Sequence, residues 1–478
     1  MSHTDSRRAA VRLYSKLKYG WVWATTSFAG NFILALVTTS FFSNLEYGQE
    51  VNYVFFLAVL AVGLWVTEAI PPFAVGIFIF TGILLGFGTD YILDDAKKPI
   101  EMYLGTWTSN VIWLLLGGFF LAEGMSIVGL DRDLFKMTIK RFGTEPNRLL
   151  LGLMLMTGIA SMVMSNTATT AMMISSILPV VRMLGKNSPY SIALLVGIPA
   201  AATLGGMGTI IGSTPNAIAV GALQKEGINI TFIDWMIFGI PIAFITLYLF
   251  WWFLKKRLKL DGITLDLAEI TKSRPDNRPK FEKNAVLFTL IVTVSAWLTE
   301  PIHGLPIAAT SAIPIVLLTM LQVVRAEDVR KLPWDTLMLV AGGLALGIAM
   351  VDVGLTDIIM ESISTLPVPI FVVAAIFAFV GVSISNIMSN TAAASILVPL
   401  GLALPGIWGL ATPLIVAISC SCALLLPVST PSNAISFSTG LVEQKSFRPG
   451  GLLMMLIGPI LGFITVVGYV LVFKSNGF

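Results

Sequence analysis

Met164-Ser165-Asn166-Thr167-Ala168 is the stretch on which the reading of this chain turns, because it occurs twice: Met388-Ser389-Asn390-Thr391-Ala392 repeats it 224 positions later. Each copy places small polar residues in the middle of a long uncharged segment. Each is followed by a second polar break, Gly212-Ser213-Thr214-Pro215-Asn216 after the first and Ser429-Thr430-Pro431-Ser432-Asn433 after the second. Leu149–Val181 is 33 residues without a charge, too few for two membrane spans and too many for one. As a helix, Leu149–Met164 would rise about 24 Å, short of the roughly 30 Å hydrocarbon core. A hairpin that enters halfway, turns at Ser165-Asn166-Thr167 and leaves on the same side fits this length. Asn187–Gln224, also uncharged, reads as one span made of two half-helices joined by an unwound loop.

Composition sets the class. The 478 residues are 56% apolar and 12% charged, against about 25% charged in soluble domains. This predicts an all-α polytopic membrane protein with no room for a soluble catalytic domain, hence not an enzyme. Cys420 and Cys422 lie in an apolar segment and read as packed free thiols. His3 and His303, the two histidines, are far apart in sequence and argue against a histidine metal centre. Residues 1–20 are polar and basic, so no cleaved signal peptide is expected. The basic runs read as topology signals, and no nucleic-acid partner is expected.

The two halves match in order. Trp297-Leu298-Thr299-Glu300 follows Trp65-Val66-Thr67-Glu68 by 232 positions, and Gly342-Gly343 follows Gly117-Gly118 by 225. Gly354-Leu355 follows Gly129-Leu130 by 225, and Asn433 follows Asn216 by 217. The expected organisation is a cytoplasmic N-terminus and first helix (1–51), a first repeat (52–257) with a hairpin at about 147–185, and a cytoplasmic linker (258–283). A second repeat (284–478) follows, with a hairpin at about 367–406. That makes eleven transmembrane helices and two re-entrant helical hairpins. Five spans per repeat turn the second repeat upside down, and the Lys/Arg distribution agrees with a cytoplasmic N-terminus. Inverted repeats with broken helices mark secondary transporters.

The four breaks carry the chemistry. Ser, Asn and Thr cap helix N-termini, with new helices expected from Ala168 and Ala392. Helix N-termini offer free N–H groups and partial positive charge to an anion. The ends of the incoming half-helices offer carbonyls that, with Ser hydroxyls and Asn carbonyls, suit a hard monovalent cation. No Lys or Arg occurs between Lys331 and Lys445, in 149–181 or in 187–224. No side-chain cation at the breaks is therefore expected to neutralise the anion, and bound cations would offset its charge. Glu68 and Glu300, beside prolines, read as helix-end groups. Glu123 lies inside a span, and its counterpart is Ile348.

On these motifs the chain resembles the divalent anion/sodium symporter family, from Trp65-Val66-Thr67-Glu68 to the last span. The resemblance implies a plasma-membrane homodimer in lipid. It also implies a scaffold domain and an elevator-moving transport domain that holds both hairpins. One sodium site would comprise Ser161 (backbone carbonyl), Ser165, Asn166 and Gly212; the other would comprise Ser385, Ser389, Asn390 and Ser429. Ser429 departs from the Gly or Ala frequent in the family, which adds a hydroxyl ligand or removes space. A dicarboxylate would meet Ser165, Asn166, Thr167 and Ser213 from one half, and Ser389, Asn390, Thr391, Thr430 and Pro431 from the other. The expected function is sodium-coupled symport of C4-dicarboxylates with no organic cofactor. The rivals are sodium-independent dicarboxylate exchange and sodium-coupled tricarboxylate or sulfate carriage. A channel or receptor-like membrane protein fits the paired hairpins less well.

Overall fold

The computed structural model describes residues 3–93, 98–143, 145–186, 188–260, 279–365 and 367–473. Most of the expected linker (261–278) and the acidic pair Asp94-Asp95 lie outside the described residues. The first half runs α1 (His3–Ser43), α2 (Gln49–Thr67), α3 (Pro72–Gly88), α4 (Glu101–Leu104), α5 (Asn110–Ile127) and α6 (Leu130–Phe142). It continues with α7 (Pro146–Ser161), α8 (Asn166–Leu184), α9 (Pro189–Gly206), α10 (Thr214–Lys225) and α11 (Phe232–Leu258). The second half runs α12 (Lys280–Leu298), α13 (Glu300–His303), α14 (Ile307–Met320), α15 (Ala326–Val329), α16 (Trp334–Asp352) and α17 (Leu355–Ser364). It ends with α18 (Ile370–Ser385), α19 (Asn390–Leu402), α20 (Ile407–Cys420), α21 (Pro431–Ser438) and α22 (Arg448–Phe473).

Every regular element is helical, as the uncharged segments dictate: in lipid a helix satisfies its own backbone. Among the described residues, nine helices are long and apolar enough to cross a membrane. They include α8, which the sequence assigns to a hairpin arm. Three of the expected spans instead rest on the shorter α3 and α14 and on the broken pair α20–α21. Glu68 is the left-handed C-cap of α2, and Glu300 opens α13; both are helix-end positions.

Glycine brings the main helix pairs together. A Cβ on Gly117 of α5 would sit 2.5 Å from Ser311 O of α14, and one on Gly342 of α16 would sit 2.3 Å from Gly76 O of α3. A Cβ on Gly205 of α9 would meet the Gly158 backbone of α7 at 2.3 Å. Backbones packed this closely are how helices associate where lipid removes the hydrophobic drive. Both Gly-Gly helices therefore pack crosswise, α5 on the second half's α14 and α16 on the first half's α3.

The broken helices cross over in the same manner. α9 is buried along nearly its whole length and packs on α7, α8 and α11; α20 packs on α18, α19 and α22. The second piece of each leaves its own half: α10 lies on α19 and α20, and α21 lies on α8 and α9. Ser436 of α21 donates its hydroxyl to Leu195 O of α9. This crossing brings four distant polar breaks to one place.

Candidate functional site

The two Ser-Asn-Thr tips have the same local geometry. Ser165 (φ −66°, ψ 143°) and Ser389 (φ −65°, ψ 146°) are N-caps, and each hydroxyl accepts from the backbone N–H three residues on, Ala168 or Ala392, at 3.2 Å. The helices thus begin at Asn166 and Asn390, two residues earlier than the sequence suggested. The serine takes the cap and leaves Asn and Thr in the first turn. There the N–H groups precede any intrahelical acceptor. Met164 and Met388 pack in the core behind the tips.

Both unwound loops also end in helix starts. Ser213 caps α10, and Thr430 caps α21 with its hydroxyl accepting from Asn433 N at 3.1 Å. All four N-termini open on one cavity of about 580 Å³. Ser165, Asn166, Thr167, Gly212, Ser213, Ser389, Asn390, Thr391, Thr430 and Pro431 all line it. Ser161, Ser385 and Ser429 lie buried behind this surface.

The buried serines do different work in the two halves. Ser161 Oγ lies 2.6 Å from the Asn166 amide. With its nitrogen turned inward, that amide donates to Ala202 O and Gly212 O, both at 3.0 Å, and to Ser161 Oγ. With its oxygen inward, that oxygen accepts from Ser161 Oγ and faces the carbonyls Ala202 O and Gly212 O. Turned one way the amide closes a hydrogen-bonded knot; turned the other it offers its oxygen to a cation. A Cβ on Gly212 would lie 2.9 Å from Ser161 O, which places that carbonyl beside the cluster. In the second half Ser385 Oγ donates to Asn390 Oδ1 (2.7 Å) and Cys420 O (3.0 Å). The Ser429 hydroxyl is turned to Asn386 O (3.2 Å) and Asn386 Oδ1 (3.0 Å), and it accepts from Leu426 N (3.0 Å).

This explains why serine stands at 429. In the first half Thr209 Oγ1 donates to Met162 O and accepts from Gly212 N at 3.1 Å, tying the hairpin end to the loop. In the second half Ser429 makes the matching tie, from the other end of its loop. Asn216 holds the first loop by donating to Gly206 O (3.1 Å) and Thr209 O (2.8 Å). Asn433 holds the second through Leu424 O (3.4 Å) and Leu426 O (3.0 Å). The matched offsets of the two halves singled out these asparagines, although their role as loop staples was not read from them. Asn386 carried no signal, because its counterpart is Met162.

No Lys or Arg stands at the four breaks, but the cavity also contains charge. Lys331 lines its rim, with Glu123 and Ser126 of α5 and Asp335 of α16. Charge-free stretches around the tips do not describe the cavity, since α5 and the α15–α16 connection also line it. Lys331 is exposed and bonded to Asp328 Oδ1 at 3.2 Å, so it stands at the mouth and not at a tip. Ser432, unremarked in the sequence, also lines the cavity, and its buried hydroxyl has no partner. Cys420 and Cys422 are buried free thiols. Among the described residues no cluster of three or more His, Cys, Asp or Glu could hold a metal; the oxygens at the two tips themselves are neutral hydroxyls, amides and carbonyls.

Comparison with known proteins agrees with this architecture. The citrate transporter family profile matches residues 54–420. The sodium-dependent dicarboxylate transporter SdcS of Staphylococcus saprophyticus is 31% identical over 446 residues, covering 85% of this chain and 83% of that protein. SdcS of Staphylococcus aureus is 30% identical over 476 residues, covering 92% and 89%. The Alcanivorax borkumensis YdaH transporter, a crystal structure described as having an unusual topology, matches with a TM-score of 0.52 at 14% identity. That match covers 84% of this chain and 97% of that one, a likeness of fold alone. With matched motifs, an all-helical fold and relatives aligned along most of its length, this chain belongs to the citrate transporter family within the divalent anion/sodium symporters, and is a multi-pass membrane transporter and not an enzyme.

Proposed function

We propose that the chain is a sodium-coupled symporter of C4-dicarboxylates of the succinate and malate class. The observation that carries this reading is the convergence of four helix N-termini on one cavity of about 580 Å³. Each Ser-Asn-Thr tip presents first-turn N–H groups and a positive dipole end to one carboxylate. Two tips facing one cavity suit two carboxylates. Ser213, Thr430 and Pro431 complete the anion's surroundings.

A dianion held by dipoles alone is costly to carry through a bilayer. Sodium, bound as co-substrate, offsets the charge. The first sodium meets Ser161, Ser165, Asn166 and Gly212, where the Asn166 oxygen and the carbonyls it faces support the assignment. The second meets Ser385, Ser389 and Asn390, with Cys420 O beside them. Ser429 belongs to that site by position, but its hydroxyl is engaged by Asn386 and Leu426, so it acts on the second sodium through the loop it ties. The relatives' description as sodium-dependent dicarboxylate transporters supports both co-substrates.

The two repeats, 52–257 and 284–478, stand inverted in a plasma membrane with a cytoplasmic N-terminus. The group α7–α11 with α18–α22 moves as an elevator against the group α1–α5 with α12–α16. The protein works as a homodimer in lipid. The test is succinate uptake into empty proteoliposomes with and without an inward sodium gradient. Sodium-driven accumulation is expected. Rapid exchange against internal dicarboxylate, with no sodium-driven net uptake, would replace symport by exchange.

A further inference from the structure

Glu123 stands apart from everything the duplicated plan explains. Among the described residues it is the one acid lying more than a helical turn from either end of a long apolar helix. An ionisable residue inside a membrane-spanning helix marks function by default. It lines the same cavity as the tips, from α5, an element outside both hairpins. It has no ion-pair partner among the described residues; the charges that act on it include Asp328 and Lys331, which are bonded to each other, and Asp335 lines the same cavity. Its counterpart Ile348 borders only a small space of about 20 Å³ between α10, α16 and α19, where the corresponding wall is packed shut. A carboxylate has thus been placed in one half alone, where the wall faces the anion.

We propose that Glu123 is the charge-selectivity residue of the cavity: it tolerates a dianion whose charge is met by the tips and sodium, and disfavours a cargo bearing a third carboxylate. This rests on the dicarboxylate reading above. A cavity of this volume is about 10 Å across. At 8–10 Å and an effective dielectric of about 20, one extra negative charge facing Glu123 is disfavoured roughly tenfold to thirtyfold. The dianion meets the same repulsion, but the sodium ions that accompany it screen its charge. A third carboxylate has no such partner. Because Glu123 sits on α5 and not on a tip, it acts on which anion enters and not on how many sodium ions travel.

The test uses the full chain in nanodiscs, where both faces are accessible, with labelled succinate displaced by unlabelled competitors. Citrate and its monomethyl ester differ in charge at nearly equal bulk. Relative to succinate, Glu123→Gln is expected to strengthen displacement by citrate about tenfold or more, while the ester changes less than about threefold. Glu123→Asp, which keeps the charge, is expected to hold the wild-type ratio. If Glu123→Gln is not monodisperse, Glu123→Ser is read in its place. An unchanged citrate-to-succinate ratio in the charge-free variant overturns the proposal, as does an equal gain for ester and citrate, which would make Glu123 a matter of bulk. Failure of wild-type protein to bind succinate at all would instead remove the dicarboxylate reading.

Discussion

Gly212→Ala probes the first sodium cluster with the smallest possible addition. A Cβ built at Gly212 lies 2.5 Å from Gly206 O and 2.9 Å from Ser161 O. Ordinary contacts begin near 3.5 Å, so one or both carbonyls must retreat by about 0.5–1 Å. Neither is the end of a flexible side chain. Gly206 is tied by Asn216, and Ser161 closes α7 against α9. Overpacking of this kind costs about 1–3 kcal/mol. If the strain falls on the cation cluster, sodium affinity drops roughly fivefold to a hundredfold, since 1.4 kcal/mol is a factor of ten. The assay is succinate uptake in proteoliposomes as a function of sodium, with size-exclusion elution as the folding control. The expected result is a higher half-saturating sodium concentration at a preserved elution volume. Wild-type sodium dependence in a well-folded Gly212→Ala protein would refute the placement of sodium beside Gly212. The matched variant sharpens the test. Ser429→Ala keeps a side chain where one already fits, but removes the ties to Asn386 and Leu426; it is expected to cost about 1–3 kcal/mol of stability, with a smaller shift in sodium dependence.

Asn166→Ala and Asn390→Ala are each expected to abolish transport while leaving the size-exclusion profile unchanged; normal uptake in both would remove the tips from the mechanism. Asn216→Ala, which releases bonds of 3.1 and 2.8 Å, is expected to lower the thermal unfolding midpoint more than Asn433→Ala, which releases bonds of 3.4 and 3.0 Å. An equal effect on both would mean that the loops are held by packing. Lys98 binds Glu50 and Asp352, each at 2.8 Å, near the ends of α2 and α16. Burial alone would lower its pKa, but the two carboxylates outweigh it and raise it above the ordinary lysine value. A raised lysine contributes stability that is fully present below the unfolded-state pKa and lost as pH climbs through the folded one. The stability difference between wild type and Lys98→Met should therefore be constant from about pH 7 to 9 and shrink above about pH 10.4. A difference already shrinking near pH 8 would contradict the ion pairs.

Much of this molecule was legible as a string. Ser, Asn, Thr and Pro clustered inside charge-free segments favour helix starts over helix interiors, so the four breaks and the hairpin arms follow from local chemistry. The matched offsets pair them. Every residue expected to contact the anion lines one cavity, because the breaks interrupt helices at their midpoints and the crossing halves bring midpoints together. Local pattern could not say that α10 and α21 each pack on the other half's hairpin. Nor could it reveal that Ser429 does in one half what Thr209 does in the other, since such ties depend on which carbonyl lies within 3 Å after folding. The charge-free tips likewise did not say what else would border the cavity. Absence of Lys and Arg along the tip segments is a property of the sequence, but a cavity is bounded by whichever segments fold against it. Glu123 and Lys331, remote in sequence from both tips, come to line that cavity only because α5 and the α15–α16 connection fold against it.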